Sequence, residues 1–251
     1  MNIAVLKEVL QGESRVAMLP SEIKRLLKNE NIAVLIESGA GNGSFFPDSE
    51  YEAVGAKIVE NPYADADVIL KLNPPTDEEV AKIKDGTTLI SLLAPFTNHA
   101  LVKSLAQKNI TSFCLELIPR TTYAQSMDVL SSQATVGGYR AVLNAATHIS
   151  KFFPMLMTPA GTIKPATVLV IGAGVAGLQA IATASRLGAK VEAFDVRPAA
   201  REQVESLGAK FLYMDLDESS ETDSGYAIEM DDEFIRKEME LLHDAAKRVD
   251  A

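Results

Sequence analysis

Thr167-Val168-Leu169-Val170-Ile171-Gly172-Ala173-Gly174-Val175-Ala176-Gly177 sets a β-branched apolar run against a Gly-x-Gly-x-x-Gly turn, and the Ala-rich segment behind it carries no charge up to Ser185. The run reads as a buried strand and the segment after the turn as a helix. In that context each glycine has a task. The first permits a tight turn, the second lets backbone approach a pyrophosphate, and the third allows close helix-to-strand packing, while the helix N-terminus offers N–H donors and the positive end of its dipole. Gly172, Gly174 and Gly177 are therefore candidate dinucleotide-binding residues. A second strand, Lys190 to Val196, holds Asp195 at the spacing where a carboxylate meets the adenosine ribose hydroxyls. A carboxylate there repels a 2′-phosphate, which favours NAD over NADP. Arg197 either softens that preference or lies along the pyrophosphate or adenine. The uncharged stretch from Pro165 to Ser185 approaches the length of a membrane span, but Gly172 and its Ala, Thr, Ser and Gln content argue for strand then helix.

Outward from this centre, a helix from Ala199 to Leu207, Gly208 and a third strand from Lys210 to Met214 complete a βαβαβ mononucleotide-binding half. Asp215 to Gly225, acidic and Ser/Thr-rich, reads as a mobile surface loop. A helix from about Asp231 to Val249 follows, with Ile235, Met239, Leu242, Ala246 and Val249 at helical spacing and in need of cover. Upstream, short apolar runs at Ile3–Leu6, Ile32–Ile36, Val68–Leu72, Thr88–Leu93 and Thr111–Leu115 alternate with amphipathic helices at Ser21–Asn29, Asp48–Gly55, Thr76–Lys84 and Asn98–Lys108. Alternating β and α means parallel sheets with helices on both faces. A longer helix, Leu130 to Lys151, joins two domains, residues 1–128 and 129–251. The fold class is α/β, two doubly wound Rossmann-like units. Too few residues follow Asp195 for the second set of strands, so the second unit reads as incomplete and the chain as an amino-terminal fragment.

The chain has 251 residues, 24 Lys plus Arg against 34 Asp plus Glu, and a net charge of −10, which argues against nucleic acid as a partner. Its 47% hydrophobic and 23% charged residues are those of a packed globular protein. Cys114, the single cysteine, sits in an apolar run and reads as a buried thiol in a reducing compartment. His99, His148 and His243 read as surface or helix-face residues. No metal site has a credible ligand set. Met1 to Glu8 lacks a basic leader or apolar signal stretch and reads as a cytoplasmic start.

A second polar cluster, Arg120, Gln125, Asp128, Ser131, Ser132 and Gln133, precedes the long helix. It is either a capped helix start, with Ser126 or Asp128 as N-cap, or part of a ligand cleft at the junction of two α/β units. Arg120 through Gln133, Gly138-Tyr139-Arg140, the run from Val170 to Ala184, Asp195-Val196-Arg197 and Gly225-Tyr226-Ala227 together closely resemble the NAD(H)-binding component, domain I, of proton-translocating NAD(P) transhydrogenase. The resemblance covers essentially the whole chain. It implies that Arg120, Gln125, Asp128 and Ser131 surround the nicotinamide and its ribose, with Arg120, Gln125 and Asp128 orienting the ring for transfer. It also implies that the three glycines hold the pyrophosphate, Asp195 the adenosine ribose, and that Tyr226 belongs to a loop folding over nucleotide. The activity implied is hydride transfer from NADH to NADP⁺ on a partner domain, coupled by membrane-spanning subunits to proton translocation. The implied state is a homodimer, peripheral on the cytoplasmic face of a bacterial inner membrane and not inserted in it.

Alanine dehydrogenases share this architecture. Arg15 and Lys71 match that family's substrate-binding basic residues, but the stretch where its catalytic His is placed, Ile90-Ser91-Leu92-Leu93-Ala94-Pro95-Phe96-Thr97, has none. A dehydrogenase of that kind, or a non-catalytic nucleotide-binding or dimerisation fragment, is the alternative.

Overall fold

The computed structural model describes residues 1–213 and 232–251; the expected loop Asp215–Gly225 and Tyr226 lie outside the described residues. Two compact units divide the chain, Met1–Val129 and Leu130–Ala251.

The first unit alternates β1 (Asn2–Val5), α1 (Pro20–Leu26), β2 (Ala33–Glu37), α2 (Asp48–Ala53), β3 (Lys57–Val59), β4 (Val68–Leu70), α3 (Asp77–Lys82), β5 (Thr88–Ser91), α4 (His99–Gln107) and β6 (Thr111–Cys114). Its six strands are all parallel, in the order β3-β2-β1-β4-β5-β6. Strand side chains alternate between two cores because successive Cβ atoms point to opposite faces. Val5, Val34 and Ile36 pack with Ile23 of α1 and Tyr51 of α2, while Ala4, Leu35, Ile69 and Leu89 pack with Val80 of α3 and Leu101 and Leu105 of α4. Thr76 caps α3: its hydroxyl accepts the Glu79 N–H and Glu79 returns a carboxylate to the Thr76 N–H, which fixes the helix start. Strand β3 has no long β-branched run of its own and is recruited by pairing with β2.

The second unit is built on α5 (Val129–His148), a small antiparallel hairpin of β7 (Leu156–Thr158) and β8 (Gly161–Ile163), then β9 (Thr167–Ile171), α6 (Val175–Arg186), β10 (Lys190–Phe194), α7 (Ala200–Ser206), β11 (Lys210–Phe211) and α8 (Asp232–Ala246). The parallel order is β11-β10-β9. On the edge of β9 away from β10, the Asp250 N–H donates to the Thr167 carbonyl and the Leu169 N–H to that of Ala251. Pro165–Ser185 is thus a strand followed by a helix, and no helix of the described residues is long and apolar enough to cross a membrane.

Helix α8 turns a different face inward from the one the spacing predicts. Leu241, Leu242 and Ala245 pack on Phe194 and Leu212, whereas Ala246 is exposed and Ile235 and Met239 stay 45% and 62% exposed. Arg248 pairs with Glu192 on β10, adding a charge contact from the segment just beyond α8. The covered face is set by what the sheet offers, and only Leu242 belongs to both faces.

Gly137 and Gly138 sit inside α5, where glycine costs about 1 kcal/mol relative to alanine. A Cβ at Gly138 would stand 2.0 Å from the Ala176 carbonyl oxygen in the first turn of α6, while at Gly137 it would meet nothing within 4 Å. Gly138 is required because two helix backbones touch there. Gly138→Ala is expected to lower unfolding free energy by about 1–3 kcal/mol through overpacking. Gly137→Ala is expected to raise it by about 0.5–1 kcal/mol, both read by urea denaturation.

Candidate functional site

In the second unit the glycine turn follows β9 directly. Gly172 has φ +92°, a left-handed conformation that side chains rarely adopt, and both Gly172 and Gly174 face open space where a Cβ would be. Gly177 does the opposite, since a Cβ there would lie 1.7 Å from the Gly172 carbonyl oxygen. The turn therefore leaves uncovered backbone where a pyrophosphate would approach and a contact where helix meets strand, which fits a dinucleotide.

Asp195 lies just beyond β10 and reaches back to this turn. The Ala173 N–H donates to its Oδ2 at 2.6 Å and the Arg197 N–H to its Oδ1 at 2.9 Å. The Arg197 guanidinium grips both oxygens, Nε to Oδ1 at 2.9 Å and Nη2 to Oδ2 at 3.1 Å. Burial pushes the Asp195 carboxyl up, but the Arg197 guanidinium and the two amides outweigh it, and the group is held below the ordinary aspartate value. It is an anion tied to the turn it is expected to serve.

Helix α5 passes close to the same turn through Gly138. Ser131 lies seven residues earlier, on the same helical face and about 10 Å nearer the N-terminus at 1.5 Å per residue. Its carbonyl accepts the Thr135 hydroxyl at 3.1 Å. The buried face of α5 continues through Val142, Ala145, Ala146 and Ile149 into the core of this unit.

The other predicted residues belong to the first unit. After β6 the chain forms a 3₁₀ helix, Thr122–Met127, containing Gln125, and Asp128 directly precedes α5. Ser126 is inside that 3₁₀ turn, so it does not cap α5. The Asp128 Oδ2 lies 3.7 Å from the Arg120 Nε, joining two of the three expected orienting residues, and Gln125 is exposed beside them.

Arg15 and Lys71 are both matched by carboxylates. Lys71, with a fully buried side chain, places its Nζ 2.9 Å from Glu79 Oε1 and 3.5 Å from Glu8 Oε2. The Tyr63 hydroxyl donates to Glu79 at 3.3 Å, and Glu8 accepts the N–H groups of Leu72 and Asn73 at 2.6 and 3.2 Å. The Arg15 guanidinium is bidentate on Glu13, Nε to Oε1 at 2.9 Å and Nη2 to Oε2 at 2.7 Å, and this hydrogen bonding lowers the Glu13 carboxyl to about 2. No sequence spacing announces this network, because its members follow two different strands and one helix. In the loop Ile90–Thr97 the Leu93 and Ala94 amides donate to Glu116, and Ala94 takes φ +48°. Cys114 is half-buried, its thiol pushed up to about 11 by burial and by Glu116. All three histidines are exposed.

Two family models match the chain, the alanine dehydrogenase/PNT N-terminal domain over residues 4–137 and the C-terminal domain over residues 141–251. The first portion of the NAD(P) transhydrogenase subunit alpha of Rickettsia prowazekii is 48% identical over 249 residues, covering 96% of this chain and 65% of that protein. A transhydrogenase structure from Sinorhizobium meliloti is 48% identical with a TM-score of 0.82, over 85% of this chain and 64% of that one. An L-alanine dehydrogenase structure is 25% identical with a TM-score of 0.75, over 86% and 61%. The chain thus spans about two thirds of the length of such relatives.

Because Glu8 and Glu79 are both buried against Lys71, removing the cation leaves two uncompensated carboxylates. Lys71→Met is expected to cost about 3–5 kcal/mol of stability, measured by denaturant unfolding. A cost below about 1 kcal/mol, the range of an exposed pair, would contradict the buried network.

Proposed function

Since the chain belongs to the alanine dehydrogenase/transhydrogenase family, we propose that it is the NAD(H)-binding part of an NAD(P) transhydrogenase, passing hydride from NADH to NADP⁺ held on a partner domain. The observation that carries this reading is the open glycine turn closed onto Asp195 by the Ala173 amide. The relatives support the transhydrogenase side, at 48% identity against 25% for the alanine dehydrogenase structure.

Gly172, Gly174 and Gly177 hold the pyrophosphate, Asp195 the adenosine ribose hydroxyls, and Arg197 stands beside them. Arg120, Gln125 and Asp128 orient the nicotinamide, with Ser131 at its ribose and Tyr226 folding over the nucleotide. The bound nicotinamide supplies the hydride; the chain binds, orients and excludes competing geometries, so positioning is its contribution. No side chain of this set is asked to move a proton. Coupling to proton translocation falls to membrane-spanning partner subunits, to which a homodimer of the chain attaches on the cytoplasmic face of a bacterial inner membrane.

An alanine dehydrogenase role is disfavoured by charge. Its substrate carboxylate needs available cations, and here Lys71 lies between Glu8 and Glu79 while Arg15 is bidentate on Glu13. The loop Ile90–Thr97 also lacks a histidine.

Two measurements test the reading. A ligand at a hundredfold its dissociation constant adds about 2.7 kcal/mol to the folded state, so NADH is expected to raise the thermal midpoint while NADPH at equal concentration does not. Equal shifts would overturn the assignment of Asp195. In the second, the chain incubated with L-alanine and NAD⁺ is expected to produce no NADH above background, and turnover would restore the dehydrogenase alternative.

A further inference from the structure

We propose that Arg197 is the residue that decides between nucleotides, a 2′-phosphate ligand that Asp195 keeps occupied. The inference rests on the reading of Asp195 as the ribose carboxylate and deepens it. Repulsion by a bare carboxylate does not describe this site, because Asp195 has a guanidinium across both its oxygens. An approaching phosphate meets a paired group rather than an isolated anion. What rejects the 2′-phosphate is that the planar fork suited to bind it is already engaged by another anion.

The exposures fit that division of labour. The Asp195 side chain is 7% exposed and that of Arg197 is 23% exposed, so the guanidinium is the half of the pair more open to solvent. Shifting the guanidinium to a phosphate in the native chain would remove the charge partner of a buried carboxylate and set a second anion beside it. That double cost is absent once Asp195 is neutral. The neighbouring cation does not compete for the role: the Arg201 Nε is 2.8 Å from Glu205 Oε1, and its guanidinium lies over the Tyr213 ring.

The test is titration of the full chain with NADH and NADPH, which differ only in the 2′-phosphate. Asp195→Asn keeps an oxygen for one of the two amides and removes the charge. It is expected to shift the ratio of the two affinities toward NADPH by about tenfold or more, the scale of a charge-assisted bidentate pair. Asp195→Ser, a smaller neutral residue, is expected to shift the ratio the same way and serves if the first variant fails to fold. Adding Arg197→Gln to either variant is expected to abolish the gain in NADPH affinity, whereas a general loosening of the turn would weaken both nucleotides alike. If the double variant keeps the full NADPH gain, or if neither neutral variant gains NADPH while the native chain binds NADH, the assignment of Arg197 is overturned and the nucleotide site stands. If the native chain binds neither nucleotide, the site itself is wrong and the role of Arg197 falls with it.

Discussion

Parallel pairing is the constraint on which the rest depends. A parallel sheet sends the carboxyl end of every strand to one edge, and the loops that follow those ends are the ones that meet there. In the first unit that edge collects Glu8, Glu13 and Arg15 after β1, Lys71 and Asn73 after β4, Leu93 and Ala94 after β5, and Arg120, Gln125 and Asp128 after β6. In the second it collects the glycine turn after β9 and Asp195 with Arg197 after β10. Residues far apart in sequence become neighbours because each is only a few positions past a strand end.

The two edges are used in opposite ways. In the first unit the strand order reverses between β1 and β4, the crevice where ligands settle in folds of this kind. Here Glu8 spans it, accepting the Leu72 and Asn73 amides, with Lys71 buried behind. An internal carboxylate fills that crevice and satisfies its donors. In the second unit the comparable turn carries glycines, its backbone lies open at Gly172 and Gly174, and among the described residues the side chain drawn onto it is that of Asp195. Topology alone therefore does not identify the binding unit; the residues filling the crevice do.

Much of this is legible before any coordinates. The β-branched runs predict β1, β2, β4, β5, β6, β9 and β10 to within a few residues, because continuous apolar runs are what strands buried on both faces require. The glycine spacing and Asp195 are readable for the same reason, each residue answering a local demand of the backbone. What escapes depends on partners distant in sequence. Lys57-Ile58-Val59 is too short to declare a strand without β2 beside it, and the hairpin Leu156–Ile163 has little alternation to mark it. The inward face of α8 is misread from spacing because two apolar stripes overlap at Leu242, and Phe194 and Leu212 select the one through Ala245. The Gly137-Gly138 pair does signal an unusual packing demand, yet only the approach of Ala176 says which glycine meets it.

Charged residues are the least readable, since a cation marks a site only after its counterions are counted. Arg15 and Lys71 match substrate-binding positions by type and spacing, and both are balanced by carboxylates within their own unit. Arg197 is balanced too, so pairing alone does not separate a structural ion pair from a recognition element. Solvent access does. Displacing a carboxylate from the fully buried Lys71 would require desolvating the incoming ligand and leaving a buried anion behind, a cost of several kcal/mol per ion. Arg197 reaches the surface beside a backbone turn that is itself open. There a ligand can exchange water for protein contacts one bond at a time, and the same kind of ion pair that seals the first unit can set the selectivity of the second.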